Sequence, residues 1–265
     1  MSSIAGHTLQ SLMRVTLLSS FFGLHSSENM TETLYRDDAY LKSCTAQVVA
    51  ATEQGVILDR TVFYPLGGGQ PGDIGELRLV SGARLSVSDT RKGAGDEIVH
   101  IVAENATVPA VGETVEAVID WDRRYAHMRM HTGLHLLGVV LPFGVTGGSI
   151  SAIRSRLDFD MTDTVDKETV CRDLNALIEA DHPVLTQWIT DAELAAQPEL
   201  IRTMSVKPPQ GAGRVRLLNI PGVDLQPCGG THVAHTGEIG PLRLGKVEKK
   251  GARNRRVNIL FDQSD

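Results

Sequence analysis

Cysteine is scarce, with Cys44, Cys171 and Cys228 the only three in 265 residues. An odd number at wide spacing excludes a secreted disulfide framework and points to a reducing compartment, where a thiol serves as ligand or nucleophile. Aromatic residues make up 5% of the chain, too few for a broad base-stacking surface. No stretch reaches the roughly 18 unbroken apolar residues of a membrane span, so the expectation is a soluble, cytoplasmic protein with no membrane partner. Basic charge is also lacking: 26 Lys and Arg against 32 Asp and Glu leave −6, which excludes a histone-like polycation. What is present is a globular composition, 42% hydrophobic and 22% charged, able to fill one large or two modest cores.

Residues 1–29 are Ser-rich and acid-poor, with Arg14 and a short apolar run around Leu17 and Phe21. One arginine is few for a transit peptide, so they are expected to form a disordered extension, with Met30 as the working start. From Ala46 to Ile119 short β-branched segments alternate with Gly, Asp and Asn turns, which predicts a β-barrel of about six strands in a domain spanning residues 30–121. Residues 122–265 mix helix and sheet, predicting helices on an antiparallel sheet and an α+β fold class. A helix is expected at 123–141, a second at 167–181 after the candidate caps Thr164 and Asp166, and a strand-like segment at 149–161.

His131-Thr132-Gly133-Leu134-His135 places two imidazoles four residues apart on one helix face, within reach of a common ion. That pair alone does not separate a metal site from ordinary packing. Cys228-Gly229-Gly230-Thr231-His232 supplies a thiolate and a third imidazole around two glycines, about 90 residues further on. The combined Cys and three His form a zinc-type donor set that only the tertiary fold can assemble. Thr132 stands where a zincin protease would carry its glutamate, which disfavours peptide hydrolysis of that kind. His127, one turn earlier, is expected to be a core histidine satisfied by a backbone carbonyl.

Two further segments stand out. Gly67-Gly68-Gly69-Gln70 lacks the Lys-Ser/Thr ending of a P-loop; its amides could cradle a carbonyl oxygen, a ribose or a phosphate, or simply form a long turn. Arg243, Lys246, Lys249, Lys250, Arg253, Arg255 and Arg256, against Glu248 alone, give a local +6 on a remainder of −12. Such segregation suggests contact with a nucleic-acid backbone.

Four blocks in order, at residues 60–73 (Arg-Thr-Val-Phe-Tyr-Pro-Leu-Gly-Gly-Gly-Gln-Pro-Gly-Asp), 129–137 (Arg-Met-His-Thr-Gly-Leu-His-Leu-Leu), 220–233 (Ile-Pro-Gly-Val-Asp-Leu-Gln-Pro-Cys-Gly-Gly-Thr-His-Val) and 236–240 (Thr-Gly-Glu-Ile-Gly), with Arg253-Asn254-Arg255-Arg256-Val257, carry a resemblance. At these residues the chain resembles the AlaX-type alanyl-tRNA editing proteins of the medium-length subgroup. The resemblance implies a β-barrel followed by a threonyl/alanyl-tRNA synthetase editing-type domain. It also implies one Zn2+ per chain on His131, His135, Cys228 and His232, and hydrolysis of mischarged tRNA(Ala), serine first and glycine second. In that scheme Gly68 and Gly69 meet the oxyanion while Gln70 and Thr61 hold substrate or water. Thr61 answers the seryl hydroxyl, with Asp224 and Thr132 behind it, and the basic residues hold tRNA. Leu66 and Gly133 depart from the family's usual residues. The rivals are a non-catalytic zinc-stabilised tRNA-binding module, a metal hydrolase for a small ester or amide, and threonyl-specific editing. The oligomeric expectation extends only to a monomer or weak dimer.

Overall fold

The computed structural model describes residues 30–52, 54–104, 106–204 and 213–262; the expected N-terminal extension lies outside them. The first part is built of β1 (Glu32–Thr33), β2 (Ser43–Thr52), β3 (Gly55–Leu58), β4 (Arg60–Thr61), β5 (Gly75–Leu79), β6 (Arg84–Val87), β7 (Asp89–Lys92), β8 (Ile98–Ile101) and β9 (Thr114–Ile119). Strict alternation puts Val115, Ala117 and Ile119 of β9 into the core. Seven of these strands pair in the order β6-β5-β9-β2-β3-β8-β7. Long β2 belongs to both halves of this sheet, pairing with β9 from Ser43 and with β3 from Val48.

A closed barrel was the expectation, and the structure corrects it: among the described residues no ladder joins β6 to β7. Only Ser88 separates these two strands, and a single residue cannot reverse the chain as a hairpin loop of two or more does. The Ser88 N–H instead donates to Ile101 O at 2.8 Å, which turns the chain onto β8. The sheet therefore ends in two strands that are continuous in sequence but not hydrogen-bonded to each other.

The second part begins with α1 (Trp121–Val140), capped by the Asp120 carboxylate accepting from Arg123 N–H. It continues with β10 (Val145–Ser149), β11 (Arg154–Asp160), α2 (Lys167–Glu179), β12 (Leu185–Thr190), α3 (Asp191–Ala195), β13 (Arg214–Ile220), β14 (Asp224–Pro227), β15 (Leu242–Lys249) and β16 (Asn254–Phe261). Of the expected α2 caps, Asp166 is the one that accepts from the first-turn amides. Two antiparallel sheets form, β10-β11-β16-β15 and β12-β13-β14, rather than the single sheet expected. The strand-like segment from Ser149 is in fact a hairpin, because Ser151 closes a turn by donating its hydroxyl to Arg154 O at 2.8 Å. Helices α1 and α2 cover one face of the larger sheet, burying Leu136, Leu174, Phe159, Val257 and Ile259. Gly133 is where α1 approaches closest, since a Cβ there would lie 2.8 Å from Leu242 Cδ1. No helix among the described residues is long and apolar enough to cross a membrane.

The two parts are tied by one ion pair. Arg124 of α1 is fully buried, and Asp73, at the end of the glycine loop, is 1% exposed. The guanidinium binds the Asp73 carboxylate through Nε at 2.9 Å and through a second short contact, and donates to Ala39 O and Val62 O. The same carboxylate accepts the Tyr64 N–H at 2.6 Å. Every charged atom is answered, which is the condition for burying such a pair. Removing one partner strands the other, so Arg124→Met is expected to cost about 3–5 kcal/mol in urea unfolding. Arg84→Met, at an exposed pair with Glu76, should cost less than about 1 kcal/mol.

Candidate metal centre

Buried His127, His131, Thr132 and His135 leave α1 polar along much of its inner face, a pattern that packing alone does not explain. The β14 strand and the turn after it bring Cys228 and His232 against that face. One ligand atom from each of His131, His135, Cys228 and His232 lies within 4.8 Å of all the others. Cys228 Sγ is 3.5 Å from His131 Nε2 and 3.2 Å from His232 Nε2. A tetrahedral cation with ordinary metal–sulfur and metal–nitrogen bonds sets such vertices about 3.6 Å apart, so the donor set fits a zinc-like ion.

Each imidazole is aimed by a bond on its far side. His131 Nδ1–H donates to Gln70 Oε1 at 3.0 Å, His135 Nδ1–H to Asp224 Oδ2 at 3.2 Å, and His232 Nδ1–H to Thr132 Oγ1 at 3.2 Å. Thr132 can accept because its own hydroxyl proton goes to Met128 O. These bonds turn the Nε2 atoms of His131 and His232 toward the thiol, the orientation that metal binding requires; burial lowers His135, but Cys228 and Asp224 outweigh it and raise the group to about 9, so it gives up a proton to serve as a ligand. Burial pushes the Cys228 thiol up, but the three surrounding imidazoles outweigh it and hold the group well below its ordinary value, as thiolate. Burial likewise presses His232 down to about 3, keeping it a neutral donor. Gly230 is obligatory here: a Cβ would collide with the His131 ring and come within 2.9 Å of Gln70 Oε1.

The structure gives the expected substrate-holding residues other partners. Gln70 is buried and occupied, accepting from His131 and Thr231 N–H and donating to Thr231 Oγ1. It thus spans the two parts and orients a ligand instead of presenting a free amide. Asp224 is committed to His135, Gln226 and Arg202, and Thr132 to His232. Thr61 is buried in the first part; its hydroxyl donates to His100 Nε2 at 2.8 Å and accepts from Phe63 N–H. His100 Nδ1–H is held by Val56 O, and burial lowers this histidine to about 4, so it is a neutral acceptor for Thr61. Gly68 and Gly69 form a hairpin tip between Gly67 and Gln70 with φ of 58° and 82°, which explains why both are glycine. Their exposed N–H groups make no hydrogen bond among the described residues.

Two expectations are corrected. The His127 Nδ1 is buried without any partner, not satisfied by a carbonyl. The cation run does not form one surface either, because strand alternation divides it. Arg256 lies beside Asp158 in a two-pronged pair, Arg253 reaches Asp160 and Lys250 reaches Glu248. Arg255 shares a row with Phe159 on the helix-covered side and binds Thr162 O. Arg243, Lys246 and Lys249 are exposed along β15. The count along the sequence missed Asp158 and Asp160, which β11 brings alongside.

Sequence reasoning also missed Arg216. This β13 side chain is 9% exposed and has no carboxylate partner among the described residues; it donates to Cys228 O at 3.0 Å and Gly230 O at 2.9 Å, fastening the ligand turn. An alternating Arg214-Val215-Arg216 reads as a solvated strand face, so only the fold discloses it.

Comparison with known proteins agrees with this arrangement. Residues 7–123 match the family model described as tRNA synthetases class II (A), and residues 215–258 that of the threonyl and alanyl tRNA synthetase second additional domain. The alanyl-tRNA editing protein AlaX-M of Saccharolobus solfataricus is 38% identical over 232 residues, covering 86% of this chain and 98% of that protein. AlaX-L of Pyrococcus horikoshii is 34% identical over 87% of this chain and 58% of its own length. Alanine–tRNA ligase of Pyrococcus abyssi is 36% identical over 83% of this chain but 24% of the ligase. With the ligand motifs gathered on one centre and near full-length coverage of AlaX-M, the chain belongs to the AlaX family of alanyl-tRNA editing proteins.

Proposed function

We propose that the chain deacylates mischarged tRNA(Ala), releasing serine in the first place and glycine in the second by attack of water on the aminoacyl ester. The observation that carries this reading is the four-donor centre beside a glycine hairpin with unspent amides. Zinc is the cation that best suits one thiolate and three imidazoles, one ion per chain, held by His131, His135, Cys228 and His232. When bound, it supplies Lewis-acid charge that orients and polarises the aminoacyl group. The N–H groups of Gly68 and Gly69 are the candidates for the developing oxyanion. Gln70 acts through His131, whose ring it holds. An ester is already activated, so positioning of this kind is enough.

Discrimination of serine from alanine needs a polar group that answers the hydroxyl. Thr132 and Asp224 are spent on metal-site imidazoles. Thr61 donates to His100 and accepts once from Phe63 N–H, which leaves its oxygen one acceptor position for a seryl hydroxyl.

The decisive experiment is release of labelled serine, glycine and alanine from tRNA(Ala). Wild type should release serine, and chelation or Cys228→Ala should abolish release; a wild type that binds tRNA and releases nothing would mark a binding module. Gln70→Met should weaken the metal about 10–100-fold in competition with a chromogenic chelator. Thr61→Val should reduce the seryl-over-alanyl ratio of kcat/KM about tenfold, the worth of one net hydrogen bond of about 1.4 kcal/mol, while Thr61→Ser retains it. An unchanged ratio in Thr61→Val would remove Thr61 from that role.

A further inference from the structure

We infer that the solvent face of the β10-β11-β16-β15 sheet, at its end beside the glycine hairpin, seats the phosphate backbone of the RNA strand whose terminus carries the ester. The inference rests on the deacylase reading and names the path of its substrate. Register sets the surface. Arg154 of β11 stands opposite Leu260 of β16, and Leu260 stands opposite Arg243 of β15, so one row carries two guanidiniums with an apolar residue between them. Directly opposed residues share a face, and the core face is the alternate set holding Ser155, Val257 and Ile259. In the next row Arg156 stands opposite Asn258.

A groove of about 520 Å³ runs along the β11 and β16 side of these rows, lined by Ser149, Ile153, Arg154, Arg156, Asn258 and Leu260, while Arg243 at the β15 edge borders a separate hollow against α2. No aromatic side chain lines the groove, so recognition there is of charge and sugar, not of stacked bases. Arg154 and Arg243 make no side-chain hydrogen bond or ion pair among the described residues. Asp158 serves both Arg156 and Arg256, leaving one of those charges in excess. The opposite end of the sheet differs. There Arg253, Lys250 and Arg255 are engaged with Asp160, Glu248 and Thr162 O. Lys249 at that end is also without a side-chain partner among the described residues, but the guanidiniums in excess lie at the end away from the β15–β16 turn.

That end is also the one joined to the candidate site. Ile150 N–H donates to Gly69 O at 2.9 Å, and a Cβ on Gly69 would sit 3.1 Å from Gly148 O. The groove wall starts at Ser149, between these contacts. Ser149 thus joins the hairpin to the groove that holds Arg154 and Arg156, where a polyanion gains affinity by releasing its counterions.

The test uses the full-length, metal-loaded protein and two double variants, Arg154→Ser with Arg156→Ser in the groove, and Lys250→Ser with Arg253→Ser at the turn. Binding of uncharged tRNA(Ala) is followed by fluorescence anisotropy across a salt series, and KM for seryl-tRNA(Ala) in parallel. The groove pair should weaken binding about tenfold or more and flatten the log–log salt slope by roughly 1.4, two single-strand contacts at about 0.7 each. The turn pair should lose less than about threefold, as charges spent within the protein contribute little. Equal or larger losses in the turn pair, or an unaltered slope in the groove pair, would overturn the assignment. Because anisotropy needs no turnover, a protein that releases no serine yet loses tRNA in the groove pair defeats the deacylase reading alone.

Discussion

The buried Asp73–Arg124 pair is the constraint on which the candidate site depends. It fastens the far end of the glycine loop to the first turns of α1, the helix that carries His131 and His135 about two and three turns later. With both ends of that joint fully hydrogen-bonded, Gln70 is delivered to His131 from a different part of the chain. A metal-site imidazole is thereby aimed by a residue of the strand-built first part, although all four ligands come from the second. The pairing also explains why polar residues crowd the inner face of α1. His131, Thr132 and His135 each answer a neighbour in the first part, in the Cys228 turn or in β14, whereas the His127 Nδ1 has no partner among the described residues.

Around the centre, the same economy recurs. Gln70, Asp224 and Thr132 each hold one imidazole, and Arg216 holds the turn that presents the thiolate. Rigidity of this kind suits a reaction whose substrate bond is weak to begin with, where the protein's task is alignment. It also separates two sets of polar groups. Those that are saturated within the protein position the centre; those that are not, the amides of Gly68 and Gly69 and the guanidiniums of Arg154 and Arg243, face outward.

Much of this was legible in the sequence because it is local. The i, i+4 histidines on a capped helix, the Cys-Gly-Gly-Thr-His turn and the positive-φ glycines each state their own geometry. Helix α1, helix α2 and most strands fall where periodicity placed them. Strands β1, β4, β7, β10 and β14 did not show, being two to five residues long and, in β10, interrupted by two glycines. The barrel expectation failed at Ser88 for a related reason: strand count says nothing about which edges pair.

The sequence by itself determined the donor chemistry, the helix that presents half of it and the family to which the motifs point, since these follow from residue type and spacing within a few turns. Only the tertiary structure decided which polar groups are spent. Gln70 and Asp224 became supports for imidazoles, Arg253 and Arg256 were matched by carboxylates from β11, and Arg154 and Arg243 were left unmatched on one row. Each of these outcomes depends on what lies opposite across a sheet or a buried joint, and a linear chain does not record its opposites.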